Sequence, residues 1–323
     1  MYPVKFAPIP MERIWGGQKL KAQFDEHGGS PIGEYWVLSG HPNGASVVTN
    51  GEFAGKTLVE LTTEFPSEYL GESPQPRFPL LIKFLEANQD LSVQIHPDDA
   101  YAQLHEGDFG KTEAWYVLDC RSDGRVNFGH RFSNREQYLQ AVQGRKVQSY
   151  LEYQDIQKGD VVFVPARTLH ALLADTVVIE VQQTSDITYR VYDWDRVDES
   201  GRRRDLHVDK AADVLHYGDP AAGGIRREFA VLRNTQGVRH ESLATCPYFA
   251  LERVRVEQST VSMSTGHPGN PDIWIVADGE GELRYGSNQS LALRAGDAVL
   301  VPASVRNYAL TSDRSLTALR AFY

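Results

Sequence analysis

A mainly β protein built from two similar barrels is the fold the sequence predicts, on three observations. Short runs rich in Val, Ile, Tyr, Trp and Phe recur between Gly, Pro, Asn and Asp along the 323 residues. Helical patterns are few. The segment KGDVVFVPARTLHAL at 158–172 returns as AGDAVLVPASVRNYAL at 295–310, so that Gly159, Asp160, Val162, Val164, Pro165 and Ala166 recur 137 positions later. Each copy reads as a Gly-Asp turn, an alternating strand and a proline that ends it, and two copies imply two barrels.

The elements follow in chain order. RIWGG at 13–17 reads as a loop because of its paired glycines. EYWVLSG and ASVVTN read as strands joined by an Asn43-Gly44 turn. TLVELTTEF predicts a few helical turns before the strand FPLLIKFLEA. In LSVQIHP, Leu91, Val93 and Ile95 alternate with Ser92, Gln94 and His96, which places the three polar residues on one strand face. Asp98 and Asp99 then suit the cap of a short helix. EAWYVLD, DVVFVPA, TVVIEVQQ and ITYRVYDW predict further strands. SNREQYLQAVQ, opened by Ser133 or Asn134, and HVDKAADVLHY predict helices, the first inserted within the first repeat. Upstream of each repeat, GKTEAWYVLD and GNPDIWIVADG pair Glu113 with Asp272 and Trp115 with Trp274.

Bulk properties exclude several classes. A formal charge of −10 argues against nucleic-acid or anionic-membrane partners. Cys120 and Cys246 are too few for a disulfide framework. The start MYPVKFAPIP lacks a signal-peptide core, and no run approaches a membrane span, so a soluble, cytoplasmic protein is expected. The oligomeric state stays open, a monomer being compatible with everything above. No phosphate loop, HExxH helix or GxSxG elbow occurs.

Gln94, His96, Glu113 and His170 stand out as candidate ligands. Two imidazoles, a carboxylate and an amide oxygen suit a borderline divalent ion, zinc first. A lone strand histidine is more often a surface or core residue, and the spread of this set precludes a proof from spacing. The repeat favours chemistry: where the first copy has His170 the second has Asn307. His27, His41, His105, His130, His207, His216, His240 and His267 read as surface residues, and SGRRRDL at 200–206 as a solvated turn. Lys111 shares the Glu113 face, Glu180 lies on the next strand, and Arg190 follows it.

The motifs LSVQIHPDD, GKTEAWYVL, GDVVFVPARTLHAL, VIEVQQTSDITYRVYDWDR, RIWGG and GEYWVLSGHPNG together resemble the type I mannose-6-phosphate isomerases, especially their short bacterial branch. The likeness is specific over about residues 1 to 220 and looser beyond. It implies a double cupin, with residues 1–225 as a metal-binding catalytic domain carrying helical insertions and 226–323 as a metal-free second barrel. It implies one zinc ion per chain on Gln94, His96, Glu113 and His170. Arg190 falls on the family's essential arginine, Lys111 on its Lys-x-Glu lysine and Glu180 on the carboxylate before the arginine. Ser92, Lys111 and Arg190 become the expected substrate contacts. The implied reaction interconverts mannose 6-phosphate and fructose 6-phosphate through a cis-enediol. GKTE replaces the KPE of longer members, and their large helical insertion is missing. Two other readings remain: a metal-dependent cupin such as an iron oxygenase, and a non-catalytic sugar-phosphate-binding cupin.

Overall fold

The computed structural model describes residues 1–197, 200–218 and 223–323. Its first half is a sandwich of two antiparallel sheets. The larger sheet runs Gly224–Arg226, Val161–Val164, Glu113–Asp119, Thr176–Gln183, Leu80–Ala87, Ile32–Leu38 and Ile9–Gly17 in spatial order. The smaller runs Leu151–Asp155, Arg125–His130, His170–Leu172, Val93–Ile95 and Tyr189–Tyr192. Alternation assigns each side chain a face. Leu85, Trp115, Val117, Val162 and Val178 turn inward against Val126, Phe128 and Leu172 of the smaller sheet.

The opposite faces are buried as well, by different partners. Behind the smaller sheet, Val93, Ile95 and Ala171 pack on Tyr138 and Ala141 of the helix Arg135–Gln143 and on Ala211 and Val214 of the helix Val208–Val214. Asn134 caps the first of these helices by accepting from the Gln137 N–H. Behind the larger sheet, Ile82, Phe84, Val161 and Val181 share one apolar cluster with Ile273, Leu300 and Ala321 of the second half.

That second half is one sheet of eight strands. Its order is Val4–Lys5, Ala298–Val301, Asp272–Tyr285, Asn307–Phe322, Ala250–Ser264, Val238–Thr245 and Ala230–Thr235, with Gln289–Arg294 on the far part of Asp272–Tyr285. The N-terminal strand thus pairs with the C-terminal unit, Val4 opposite Leu300. Among the described residues, no helix is long and apolar enough to cross a membrane.

Two expectations change. RIWGG belongs to the strand Ile9–Gly17 rather than a loop. Its glycines serve close approach: a Cβ on Gly16 would lie 2.5 Å from the Gly33 nitrogen, and one on Gly17 would overlap the Glu86 carboxylate. Glu86 instead accepts from the backbone N–H groups of Gln18, Lys19 and Leu20. ASVVTN forms a two-residue hairpin strand and then only single bridges, Phe6 to Val48 and Val47 to Thr57. The short helices Leu58–Glu64, with its Thr57–Glu60 capping box, and Asp99–His105, capped by Asp98, form where expected.

Because one apolar cluster joins the two halves, they should melt together. Trp36 and Trp274, one in each half, report this: thermal unfolding followed by tryptophan fluorescence and by circular dichroism is expected to give a single coincident transition. Two separated transitions would contradict the shared core.

Candidate metal centre

Register brings the four candidate ligands together. Gln94 stands directly opposite His170 on one neighbouring strand and opposite Arg190 on the other. Glu113 reaches the same point from the larger sheet. One ligand atom each from His96, Glu113 and His170 lie within 4.8 Å of one another, and the three residues are between 0% and 1% exposed.

Each imidazole is fixed by its other nitrogen. His96 Nδ1 donates to the Ile187 carbonyl at 2.7 Å, and His170 Nδ1 to the Thr168 carbonyl at 2.8 Å. That tautomer leaves both Nε2 lone pairs facing the cluster, as in histidines that ligate metals. Burial, aided by Lys111, holds His96 well below the ordinary histidine pKa, and burial brings His170 to about 4. Both rings are therefore neutral. Their approaches to Glu113, 3.5 Å from His96 Nε2 and 3.3 Å from His170 Nε2, are not ion pairs. Gln94 turns its amide nitrogen toward His170 Nε2 at 3.4 Å, and Ser92 donates to its oxygen at 3.4 Å.

Glu113 decides the character of the site. Both its oxygens are buried without a hydrogen-bond partner, and so is His96 Nε2. Lys111 Nζ lies 3.1 Å from Glu113 Oε2, close enough for an ion pair but misdirected for a hydrogen bond. Burying a carboxylate without donors is strongly unfavourable. A divalent cation between two neutral imidazoles and this carboxylate removes the penalty, so the residues fit a metal.

The second half shows the alternative solution. Asp272 stands opposite Val301 as Glu113 stands opposite Val164, so the repeat holds in three dimensions. Asp272, however, accepts from the Tyr308 hydroxyl, the Arg320 guanidinium and the Gly266 N–H. Across the first unit runs the row Val162, Trp115, Glu180, Lys83 and Trp36. Across the second runs Val299, Trp274, Arg320, Glu252 and Ser242. The charges are exchanged: Glu180–Lys83 in one, Arg320–Glu252 in the other. Arg320 sits where Glu180 would be and neutralises the second unit's acid. His240, which bonds Glu252 at 2.8 Å, is buried rather than on the surface as the sequence suggested. His41 is buried likewise; Asn307 is exposed.

The metal cluster opens into a cavity of about 320 Å³ whose walls include Trp15, Ser92, Gln94, Lys111, Glu180 and Arg190. Sequence reasoning missed Arg13, Glu34, Lys83, Asp186 and Arg204 in the same walls. A buried ladder of charge crosses it. Arg13 Nε is 2.9 Å from Glu34, Lys83 Nζ is 3.5 Å from both Glu34 and Glu180, and Lys111 Nζ is 3.9 Å from Glu180. Trp115 Nε1 donates to Glu180 Oε2 at 3.2 Å, leaving Glu180 Oε1 buried and unbonded. Burial and the nearby Glu113 raise the Glu180 pKa against the pull of Lys111 and Lys83. For Lys111, burial is outweighed by Glu113, Glu180 and Asp186, which push its pKa above the ordinary range. The Asn43-Gly44 turn contributes here too, since Asn43 Nδ2 donates to Asp186 at 3.1 Å.

Comparison with known proteins follows the geometry. The type I phosphomannose isomerase catalytic domain matches residues 5–116, and the mannose-6-phosphate isomerase cupin domain matches residues 240–320. The chain is 37% identical over 309 residues to a mannose-6-phosphate isomerase of Streptococcus mutans, spanning 95% of this chain and 94% of that one. It aligns with the crystal structure of mannose 6-phosphate isomerase from Bacillus subtilis at a TM-score of 0.90 and 32% identity, covering 100% of both chains. A mannose 6-phosphate isomerase bound with zinc and yttrium shares the fold, with a TM-score of 0.75 at 16% identity over 99% of each chain.

Glu34 yields a pH prediction. Burial alone would raise its pKa, but Lys83, Arg13 and the Trp36 N–H reverse this and bring it from 4.5 to about 2. Its folded value lies below its unfolded one, so its contribution to stability is complete above pH 4.5 and is lost as pH falls through about 2. The pH-dependent part of the stability difference between wild type and Glu34→Gln is on the order of 3 kcal/mol. Urea unfolding at a series of pH values should find that difference shrinking across this window; a constant gap would contradict the ion-pair assignment.

Proposed function

The chain belongs to the type I mannose-6-phosphate isomerases, and from that premise we propose how its residues carry out the interconversion of mannose 6-phosphate and fructose 6-phosphate. The observation that carries the proposal is the Glu113 carboxylate, buried without a donor between two neutral, lone-pair-bearing histidines. Gln94, His96, Glu113 and His170 would hold one zinc ion per chain, a donor set suited to that metal. A bound zinc supplies a Lewis acid for the sugar oxygens on which negative charge develops.

The protein's own groups divide the remaining work. Moving a hydrogen between C2 and C1 through a cis-enediol needs a base within reach of both carbons. Glu180 Oε1 is that base: it is unbonded, it borders the cavity, and its raised pKa brings it toward working pH. Lys111, held charged between Glu113 and Glu180, stabilises the developing oxyanion and keeps Glu180 ionised at rest. Arg190, beside Gln94, adds positive charge on the substrate side, and Ser92 binds a sugar or phosphate oxygen. Trp115 orients Glu180 through its indole N–H. Residues 1–225 form the catalytic domain, and 226–323 a barrel whose acid Asp272 is already neutralised by Arg320. The enzyme acts in the cytoplasm on free sugar phosphates.

An iron oxygenase would leave coordination positions open for oxygen, whereas Gln94 fills one here. A binding module without catalysis would have no use for an unbonded, raised carboxylate.

The test is turnover of fructose 6-phosphate by protein stripped with a chelator and then restored with one equivalent of zinc. Conversion is expected only after restoration. Glu180→Gln and Lys111→Met should keep the zinc and lose about 10²- to 10⁴-fold in kcat. A folded, zinc-loaded wild type with no conversion would refute the isomerase reading. Near-normal turnover in Glu180→Gln would remove Glu180 as the base and leave the reaction assignment standing.

A further inference from the structure

Arg204 lies in SGRRRDL, the basic run that reads from sequence as a solvated turn, yet it lines the same cavity as Gln94 and Lys111. Its guanidinium is held in place. Nε donates to Asp193 Oδ2 at 2.8 Å and Nη2 to Asp193 Oδ1 at 2.6 Å, a bidentate grip. Asp193 is a firm anchor, because its side chain is 7% exposed and it also accepts from Arg196. Two guanidiniums therefore share one carboxylate, and a positive charge is left over. The third nitrogen of Arg204, Nη1, makes no hydrogen bond among the described residues.

Arg190 adds to the imbalance. Its Nη1 donates to the Asp205 carbonyl, while its Nε is buried with no partner. Burial first, and then the nearby Arg204, make its charged form less favourable than usual. Two guanidiniums that are mutually unfavourable, on the wall of a cavity in a protein of net charge −10, are waiting for an anion.

Depth in the cavity says which part of the substrate is meant. Lys111 and Glu180 are 5% and 4% exposed at the closed end, whereas the Arg204 side chain is 30% exposed. A hexose 6-phosphate reacts at C1 and C2 and carries its dianion on C6, at the far end of the carbon chain. If C1 and C2 meet Glu180 at the closed end, C6 and its phosphate point to the open one.

We propose that Arg204, locked by Asp193 and flanked by Arg190, anchors the phosphate monoester of the substrate at the cavity mouth. Asp193 is then a positioning residue: it presents Nη1 and prevents the guanidinium from swinging into solvent. This rests on the isomerase reading, and it adds a specificity determinant to it. A phosphate seated on a fixed guanidinium sets which end of the sugar enters first, and it disfavours sugars without phosphate.

The experiment uses the zinc-loaded enzyme and three variants, Arg204→Gln, Asp193→Asn and Arg203→Gln. Arg203 belongs to the same run but pairs with exposed Asp195, which makes it the control. For Arg204→Gln, KM for mannose 6-phosphate should rise about 10- to 100-fold, as expected for loss of a charge-assisted contact. Its kcat should change less than about threefold, with zinc content unchanged, since binding is removed about equally from ground and transition states. Inorganic phosphate should inhibit wild type competitively, and its inhibition constant should rise by the same factor as KM. Asp193→Asn should show a smaller rise in both, and Arg203→Gln none. Equal KM and phosphate inhibition constants in wild type and Arg204→Gln would overturn the proposal, as would a fall in kcat at constant KM. Should wild type itself fail to isomerise, the function is wrong, and phosphate-induced thermal stabilisation that depends on Arg204 still decides the anchor. If Arg204→Gln does not fold, a parallel rise of KM and of the phosphate constant in Asp193→Asn carries the test, and unchanged values there overturn the anchor.

Discussion

The interaction on which the structure turns is one that the protein alone does not complete: a fully buried carboxylate, Glu113, with no donor to either oxygen. Desolvating such a group without compensation consumes a large share of a domain's net stability. Everything around it is arranged to tolerate that. Lys111 stands close enough to attract without bonding, and the two imidazoles are kept neutral by backbone carbonyls on their far sides. The carboxylate is poised for a cation rather than satisfied. Asp272 occupies the matching position of the second unit and is satisfied three times over, so its neighbourhood has nothing left to bind.

This contrast explains how one architecture serves two roles. The two sheets share a register, a Gly-Asp turn and a tryptophan at the same place in the row. A single exchange of sign, Glu180 for Arg320 with its partner Lys83 for Glu252, separates the working row from the inert one. In the first unit the alternating ladder of Arg13, Glu34, Lys83, Glu180 and Lys111 keeps five buried or half-buried charges mutually compensated while leaving one carboxylate oxygen free. In the second unit the same inner face closes on itself and serves the shared core.

Much of this was legible in the sequence where local rules suffice. Period-two alternation placed Gln94 and His96 on one face, and the repeat located both barrels and singled out His170 against Asn307. Strand order was not legible, because pairing Thr176–Gln183 between Glu113–Asp119 and Leu80–Ala87 depends on residues far apart in the chain. Long-range placement also hid Arg13, Lys83 and Arg204. RIWGG read as a loop because its glycines are locally flexible, while the reason for them is a close approach to Gly33 and Glu86. The arginine run read as solvated because its neighbours are polar, while Asp193 turns one of its members inward. Buried His41 and His240 were misread for the same cause: flanking polarity says little about what a tertiary fold covers.

The measurement that bears most directly on this account is a crystal structure of the zinc-loaded protein with anomalous data collected at the zinc absorption edge. The account predicts one strong peak in the space bounded by Gln94, His96, Glu113 and His170, about 2.0–2.1 Å from each histidine Nε2. A zinc peak elsewhere, or none there in a protein that isomerises fructose 6-phosphate, would contradict it.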